Sequence, residues 1–127
     1  MFNTYLLDSN ILIGFLNGDQ KIADWIFEQN KNNNLLLVSS ISVIELLSFK
    51  ELTGEKLEIA QKLAYSFHSV SISEEIINLT ASIRRKNILK LGDAIIAATA
   101  ISRKLTLVTN DKELVKKVNN FIKVISI

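Results

Sequence analysis

The sequence has no cysteine and no proline, and its 127 residues include only four glycines, one histidine and one tryptophan. Without cysteine there is no disulfide framework, no thiolate zinc site and no cysteine nucleophile, so the chain carries no redox chemistry of its own. The single histidine, His68, falls between a helical stretch and a short apolar run, where it reads as a packing or surface residue rather than a catalyst. No apolar run approaches the ~18 residues of a membrane span, and Met1-Phe2-Asn3-Thr4-Tyr5 lacks the basic region and cleavage site of a secretion signal. A cytoplasmic protein with no membrane partner is the expectation. A formal net charge of +2 is too small to mark a nucleic-acid partner by itself. Neutralising several of the acids with bound metal would leave the rest of the surface distinctly basic.

What the chain does have is 48% hydrophobic and 22% charged residues, the balance of a packed globular chain, at a length that suits one domain over residues 1–127. Short apolar runs alternate with longer stretches of helical periodicity, the pattern of an α/β fold. Strands are expected at about Phe2 to Leu7, Leu35 to Val38, Val70 to Ile72, Leu105 to Val108 and Ile122 to Ile125, with helices between them. Ser9 or Asn10 can cap a short helix through Leu16, and Gly18-Asp19 turns the chain into a helix ending near Lys31. Ser39 or Ser40 can cap a helix carrying Ile41 to Lys50, which the Thr53-Gly54 pair ends before another begins near Glu55. Ser73 can cap the next, and a long helix runs from about Asp93 to Lys104. Right-handed crossovers between five such strands imply a mostly parallel sheet between helical layers, with its site at the carboxyl ends of the strands.

Four acids fall where that site should be. Asp8 follows the apolar run Tyr5-Leu6-Leu7, and it either caps the next helix or stands at the mouth of a buried strand. Glu45 shares its helical face with Ile41, Ser42, Ser48 and Phe49, an environment that offers it no lysine; a capping box from Ser42 is the alternative, but it requires the helix to start later than the end of the preceding strand suggests. Asp93 heads the most apolar helix, among Ile96, Ala97 and Ala100, where a helix dipole alone would welcome it. Asp111 follows the run Leu105 to Val108, as an ordinary turn or cap residue also would. Buried carboxylates without partners are costly, and no matching set of buried lysines or arginines is evident. Oxygen-preferring Mg²⁺ or Mn²⁺ answers that cost, and metal-assisted hydrolysis of a phosphodiester is the chemistry such a set supports. Asn10 and Thr109 are short polar neighbours able to orient water or a ligand, or to act as caps. Trp25, Phe27 and Phe67 read as core. The basic run Arg84-Arg85-Lys86, with Lys90, can lead phosphate toward Asp93 or simply form a solvated helix end.

Leu6-Leu7-Asp8-Ser9-Asn10-Ile11-Leu12-Ile13, Ser42-Val43-Ile44-Glu45-Leu46, Leu91-Gly92-Asp93-Ala94-Ile95-Ile96-Ala97-Ala98-Thr99-Ala100 and Leu107-Val108-Thr109-Asn110-Asp111 resemble, in order and spacing, the four acidic motifs of PIN domains. The likeness covers nearly the whole chain, and around Asp93 it is closest to VapC-type toxins. The resemblance implies a three-layer α/β/α fold with a mostly parallel central sheet of about five strands. It also implies a Mg²⁺ or Mn²⁺ site made by Asp8, Glu45, Asp93 and Asp111, with Asn10 and Thr109 in support and Glu113 as a substitute for Asp111. The function implied is an endoribonuclease acting on structured RNA such as transfer RNA, working as a homodimer and held in check by a cognate antitoxin protein. Two other readings differ in class. A haloacid-dehalogenase-type phosphatase also places an aspartate after its first strand, but it normally needs a second aspartate where this chain has Asn10. A degenerate PIN domain would bind RNA or protein without cutting; all four acidic positions are filled here, as they also would be in a housekeeping PIN nuclease.

Overall fold

Alternate residues of a strand point to opposite faces of its sheet, and the short apolar runs of this chain are apolar on both. In the computed structural model, which describes residues 2–87 and 89–127, they form five parallel strands: β1 (Thr4–Leu7), β2 (Leu35–Ser39), β3 (His68–Val70), β4 (Thr106–Val108) and β5 (Val124–Ile125). Their spatial order is β3-β2-β1-β4-β5. Leu6, Leu37, Val70 and Leu107 enter one hydrophobic core, and Leu7, Leu36, Val38 and Val108 enter the other.

The helices sort onto these two faces. On the Leu7 face lie α1 (Ser9–Leu16), α2 (Gln20–Lys31), α3 (Ser40–Leu47) and α4 (Gly54–Tyr65), which contribute Ile11, Leu12, Ile22, Ile26, Val43, Leu46 and Ala64. On the Leu6 face lie α5 (Glu74–Lys86), α6 (Leu91–Arg103) and α7 (Lys112–Val118). The sorting follows from the strand order. Connections from β1 to β2 to β3 step one way across the sheet and those reaching β4 and β5 step the other, so crossovers of one hand lay their helices on opposite faces. The result is a three-layer α/β/α fold. Its order reverses between β1 and β4, whose carboxyl ends therefore open into a crevice.

Several expected boundaries move, each for a local reason. The edge strand β3 runs over His68–Val70 rather than Val70 to Ile72, because backbone pairing with Leu37–Ser39 fixes it although His68 and Ser69 face solvent. The first helix is capped by Asp8, not by Ser9 or Asn10. Helix α3 starts at Ser40 under the Ser39 cap, so Ser42 and Glu45 do not form a capping box; it stops at Leu47, where the Ser48 hydroxyl turns back to the Ile44 carbonyl. The Thr53-Gly54 pair therefore opens α4 instead of closing α3, with Gly54 at φ 55°. Phe27 is 72% exposed and not core, whereas Trp25 and Phe67 are half-buried against the Leu7-side core. His68 is exposed on β3.

Gly14 lets α1 pack closely on α2. A Cβ there would collide with the Ile22 side chain of α2. Gly14→Ala is expected to destabilise the fold by about 1–3 kcal/mol despite alanine's better helix propensity, since Ile22 must leave its rotamer. Urea denaturation measures this, and a stability gain would contradict it.

Candidate active site at the ends of β1 and β4

Asp8 is the first residue beyond β1, and its N–H donates to the Val108 carbonyl at the end of β4, 3.0 Å. That bond ties together the two strands that flank the switch in sheet order. Asp8 is 5% exposed; one carboxylate oxygen accepts from the Ser9 N–H at 2.8 Å and the other from the Thr109 hydroxyl at 2.8 Å. The cap and the site are thus one residue in one conformation.

Thr109, fully buried, organises the opposite wall. Its hydroxyl donates to Asp8 and accepts from the Asn10 amide at 3.2 Å and from the Asp111 N–H at 3.1 Å. The Asn10 carbonyl oxygen accepts from the Asn110 N–H at 3.4 Å. Asn10 therefore spends both ends of its amide on the Thr109-Asn110 turn, and acts as a brace. Asp111 caps α7 through one oxygen, accepting from the Glu113 and Leu114 N–H groups at 3.0 and 3.2 Å. Glu113 faces away, paired with Lys116 on the surface at 3.7 Å.

The other two acids come from α3 and α6. Asp93 is half-buried in the first turn of α6. Glu45 is exposed along α3, yet its carboxylate lies against Gly92, where an added Cβ would sit 3.4 Å from one oxygen. A Cβ at position 92 would thus meet the Glu45 carboxylate at ordinary contact distance.

The acids are close enough to repel one another. Burial pushes the Asp8 carboxyl up to about 6; repulsion from Asp93 and Glu45 adds to this, while the Thr109 hydroxyl and Ser9 N–H oppose it. Burial also raises Glu45, as does Asp93, with the Ser9 hydroxyl opposing. Asp93 is raised by burial and by Asp111, and lowered by Lys90 and Lys117. Asp93 is the common neighbour, within electrostatic reach of the other three. Among the described residues the one ion pair is that of Glu113 and Lys116, so no cation sits at contact distance from the four acids.

Among the described residues, no three acidic or imidazole side chains stand ready to hold one ion in their present positions. The donor set still fits a hard divalent cation: oxygens only, net negative, partly desolvated and lacking a bound countercharge. Mg²⁺ usually needs just one or two carboxylates, completing its shell with water and substrate phosphate.

Ser42, wholly buried one helical turn before Glu45, has a hydroxyl with no partner among the described residues, so it is neither a cap nor a brace for Glu45. Ser126 donates to the Thr109 carbonyl at 2.7 Å, a contact that no motif in the sequence singles out. The basic run Arg84 to Lys86 forms the exposed last turn of α5, where it complements the helix dipole.

Thr109→Val keeps the shape of the side chain but removes a donor to Asp8 and an acceptor for two N–H groups. It is expected to cost about 1–3 kcal/mol of stability and to raise the Asp8 titration further, because a bond that favours the carboxylate is gone. Carbon-detected NMR titration of the Asp8 carboxyl checks the direction; an unchanged midpoint would contradict it.

Comparison with known proteins gives a consistent picture. The family model of the PIN domain matches residues 5–120. Ribonuclease VapC10 of Mycobacterium tuberculosis is 34% identical over 109 residues, covering 82% of this chain and 80% of that protein. A toxin–antitoxin complex from Klebsiella pneumoniae contains a chain that is 26% identical and superposes with a TM-score of 0.75 over 95% of both chains. A chain of DNA-bound VapBC from Salmonella typhimurium, 22% identical, shares the fold with a TM-score of 0.80 over 99% of this chain and 98% of that one.

Proposed function

Because this chain belongs to the PIN-domain family, we propose that it is a divalent-metal-dependent endoribonuclease of the VapC type, the toxin of a toxin–antitoxin pair. The observation that carries the reading is the convergence of Asp8, Glu45, Asp93 and Asp111 from four separate stretches of chain, with three of them raised by shared burial and repulsion. A fold seldom gathers like charges without a partner in view, since each desolvated carboxylate costs stability. The likeness to Ribonuclease VapC10 supports RNA as substrate.

In this reading Asp8 and Asp93 hold the metal, Mg²⁺ with Mn²⁺ as a substitute, and Glu45 and Asp111 complete the acidic wall. Bound there, the cation supplies an activated water and charge stabilisation at the departing oxygen of the phosphodiester. Thr109 fixes the Asp8 carboxylate by one short hydrogen bond, and Asn10 braces the turn that presents Thr109 and Asp111. Asp111 is preferred to Glu113 as the fourth acid because Asp93 feels its charge, whereas Glu113 is engaged by Lys116 at the surface. Lys90 and Lys117, both exposed and near enough to Asp93 to lower its pKa, would contribute positive charge for the RNA backbone beside the acids.

Structured RNA such as transfer RNA is the substrate class we assign, and a homodimer the working form. A cognate antitoxin that covers the acidic crevice would keep the enzyme silent in the cytoplasm. The complexes from Klebsiella pneumoniae and Salmonella typhimurium support such a partner.

The test is incubation of the purified chain with total RNA and Mg²⁺ or Mn²⁺, beside a sample in EDTA that is later given back the metal. Discrete fragments that vanish in EDTA and return with metal are expected. RNA binding that ignores metal, with no cleavage, would favour a binding module instead.

A further inference from the structure

The turn that carries Thr109, Asn110 and Asp111 is held from two sides. On the inner side its contacts are Asp8 and Asn10, residues of the crevice itself. On the outer side lie the two residues that follow β5. The Ser126 hydroxyl donates to the Thr109 carbonyl at 2.7 Å, and the Ile127 N–H donates to the Asn110 side-chain oxygen at 2.8 Å. Just before them, the Thr109 N–H donates to the Ile125 carbonyl at 3.1 Å. Ser126 and Asn110 are both exposed residues. The Asn110 bond is exposed, so solvent could replace it at little cost, whereas the Ser126 bond is part-buried and satisfies the carbonyl of a fully buried residue.

We infer that Ser126 and Asn110 are positioning residues: through the Thr109 carbonyl and the Ile127 N–H they lock the turn that aims the Thr109 hydroxyl at Asp8 and sets Asp111 beside Asp93. Strand β5 has only two residues, so the ladder alone gives this turn little support on its outer side. Without the two side-chain bonds, the Thr109-Asn110 turn is held outside by the Ile125 bond only. A displacement of about 1 Å in a reacting group is enough to cost about 10²-fold in rate, so slack in this turn reaches the site even though the two residues never touch it.

The effect on activity rests on the proposed nuclease reading; the effect on the turn does not. The experiment compares wild type with Ser126→Ala, Ser126→Ala combined with Asn110→Ala, and Ser126→Thr, which keeps a hydroxyl. The first readout is hydrogen exchange at the Asp111 amide, which donates to the Thr109 hydroxyl, against the core amide of Leu105, which donates to Ala100. The second is Mn²⁺ affinity by paramagnetic resonance, and the third is RNA cleavage. Ser126→Ala is expected to speed Asp111 exchange about 5-fold, the loss of one ordinary hydrogen bond, and the double variant more, with Leu105 unchanged. Mn²⁺ affinity and cleavage should fall in the same order, and Ser126→Thr should restore all three.

Unchanged Asp111 exchange in the double variant would overturn the inference, as would equal acceleration at Leu105, which would mean general destabilisation. A wild-type chain that binds no Mn²⁺ and cuts no RNA would remove the nuclease reading and leave the exchange comparison to decide the role of the turn.

Discussion

Asp93→Asn is expected to lower metal-dependent RNA cleavage by at least about 10³-fold, about 4 kcal/mol at 1.36 kcal/mol per tenfold, while leaving the fold intact. Asp93 is the acid whose charge is felt by, or which feels, each of the other three. Removing it takes a ligand charge from the middle of the set. Asparagine has nearly the same volume, and among the described residues the Asp93 carboxylate makes neither a capping bond nor an ion pair that would be lost. Helix α6 is held by its own apolar face, with Ala94 through Ala100 buried. Single-turnover cleavage beside circular dichroism and thermal melting separates the two effects. Full activity in the variant would remove Asp93 from the site, and loss of the folded state would show that its role is structural.

Asp8→Asn should do something less usual: stabilise the metal-free protein. The Asp8 carboxyl titrates near 6 in the folded chain, above its ordinary 3.8. A raised folded value means that the protonated form is the one folding favours. That contribution is complete below about pH 3.8 and is lost as pH rises through about 6. At pH 7.5 Asp8 is therefore an ionised burden on the metal-free fold, with an upper limit of about 3 kcal/mol set by 1.36 kcal/mol per pH unit.

Asparagine keeps a good cap for α1 but has a single acceptor oxygen, so it serves either Ser9 or Thr109 and forfeits about 1 kcal/mol. The net expectation in EDTA at pH 7.5 is a gain of about 1–2 kcal/mol, shrinking to nothing or reversing near pH 4, where wild-type Asp8 is largely protonated. With millimolar Mn²⁺ the order should invert, because ligand binding stabilises only the chain able to bind. Denaturation curves under the three conditions check this. A variant less stable than wild type in EDTA at pH 7.5 would show that Asp8 is not under electrostatic strain.

Much of the architecture is legible in the residues. Tyr5-Leu6-Leu7 and Leu35 to Val38 are apolar without alternation, and Leu105 to Val108 is so but for Thr106, because helices cover both faces; these are the three central strands. The edges are harder to read. β3 presents His68 and Ser69 to solvent, so nothing in its composition distinguishes it from the end of a loop, and only pairing with β2 defines it. Gly54 misleads for a related reason: a glycine at positive φ usually closes a helix, whereas here it lets the chain turn into one.

Residue type and spacing point to four acids that the fold brings within electrostatic reach of one another, and for Asp8 and Asp111 a capping role and a place in the crevice are compatible. Both are helix caps, and both belong to the acidic crevice, because a helix that starts at a strand's carboxyl end places its cap there. The roles of Asn10 and Thr109 depend on which donor meets which acceptor across about a hundred residues of chain, and that of Ser126 on a bond across 17 residues. Sequence spacing holds no record of such pairings.

Crystals grown with MnCl₂ and measured at the manganese absorption edge show whether these acids hold the divalent cation proposed to drive RNA cleavage. The expected result is an anomalous peak bonded to carboxylate oxygens of Asp8 and Asp93, beside Glu45 and Asp111, and absent from crystals of Asp93→Asn. A peak on other residues, or none at a Mn²⁺ concentration that supports full cleavage, would contradict the account.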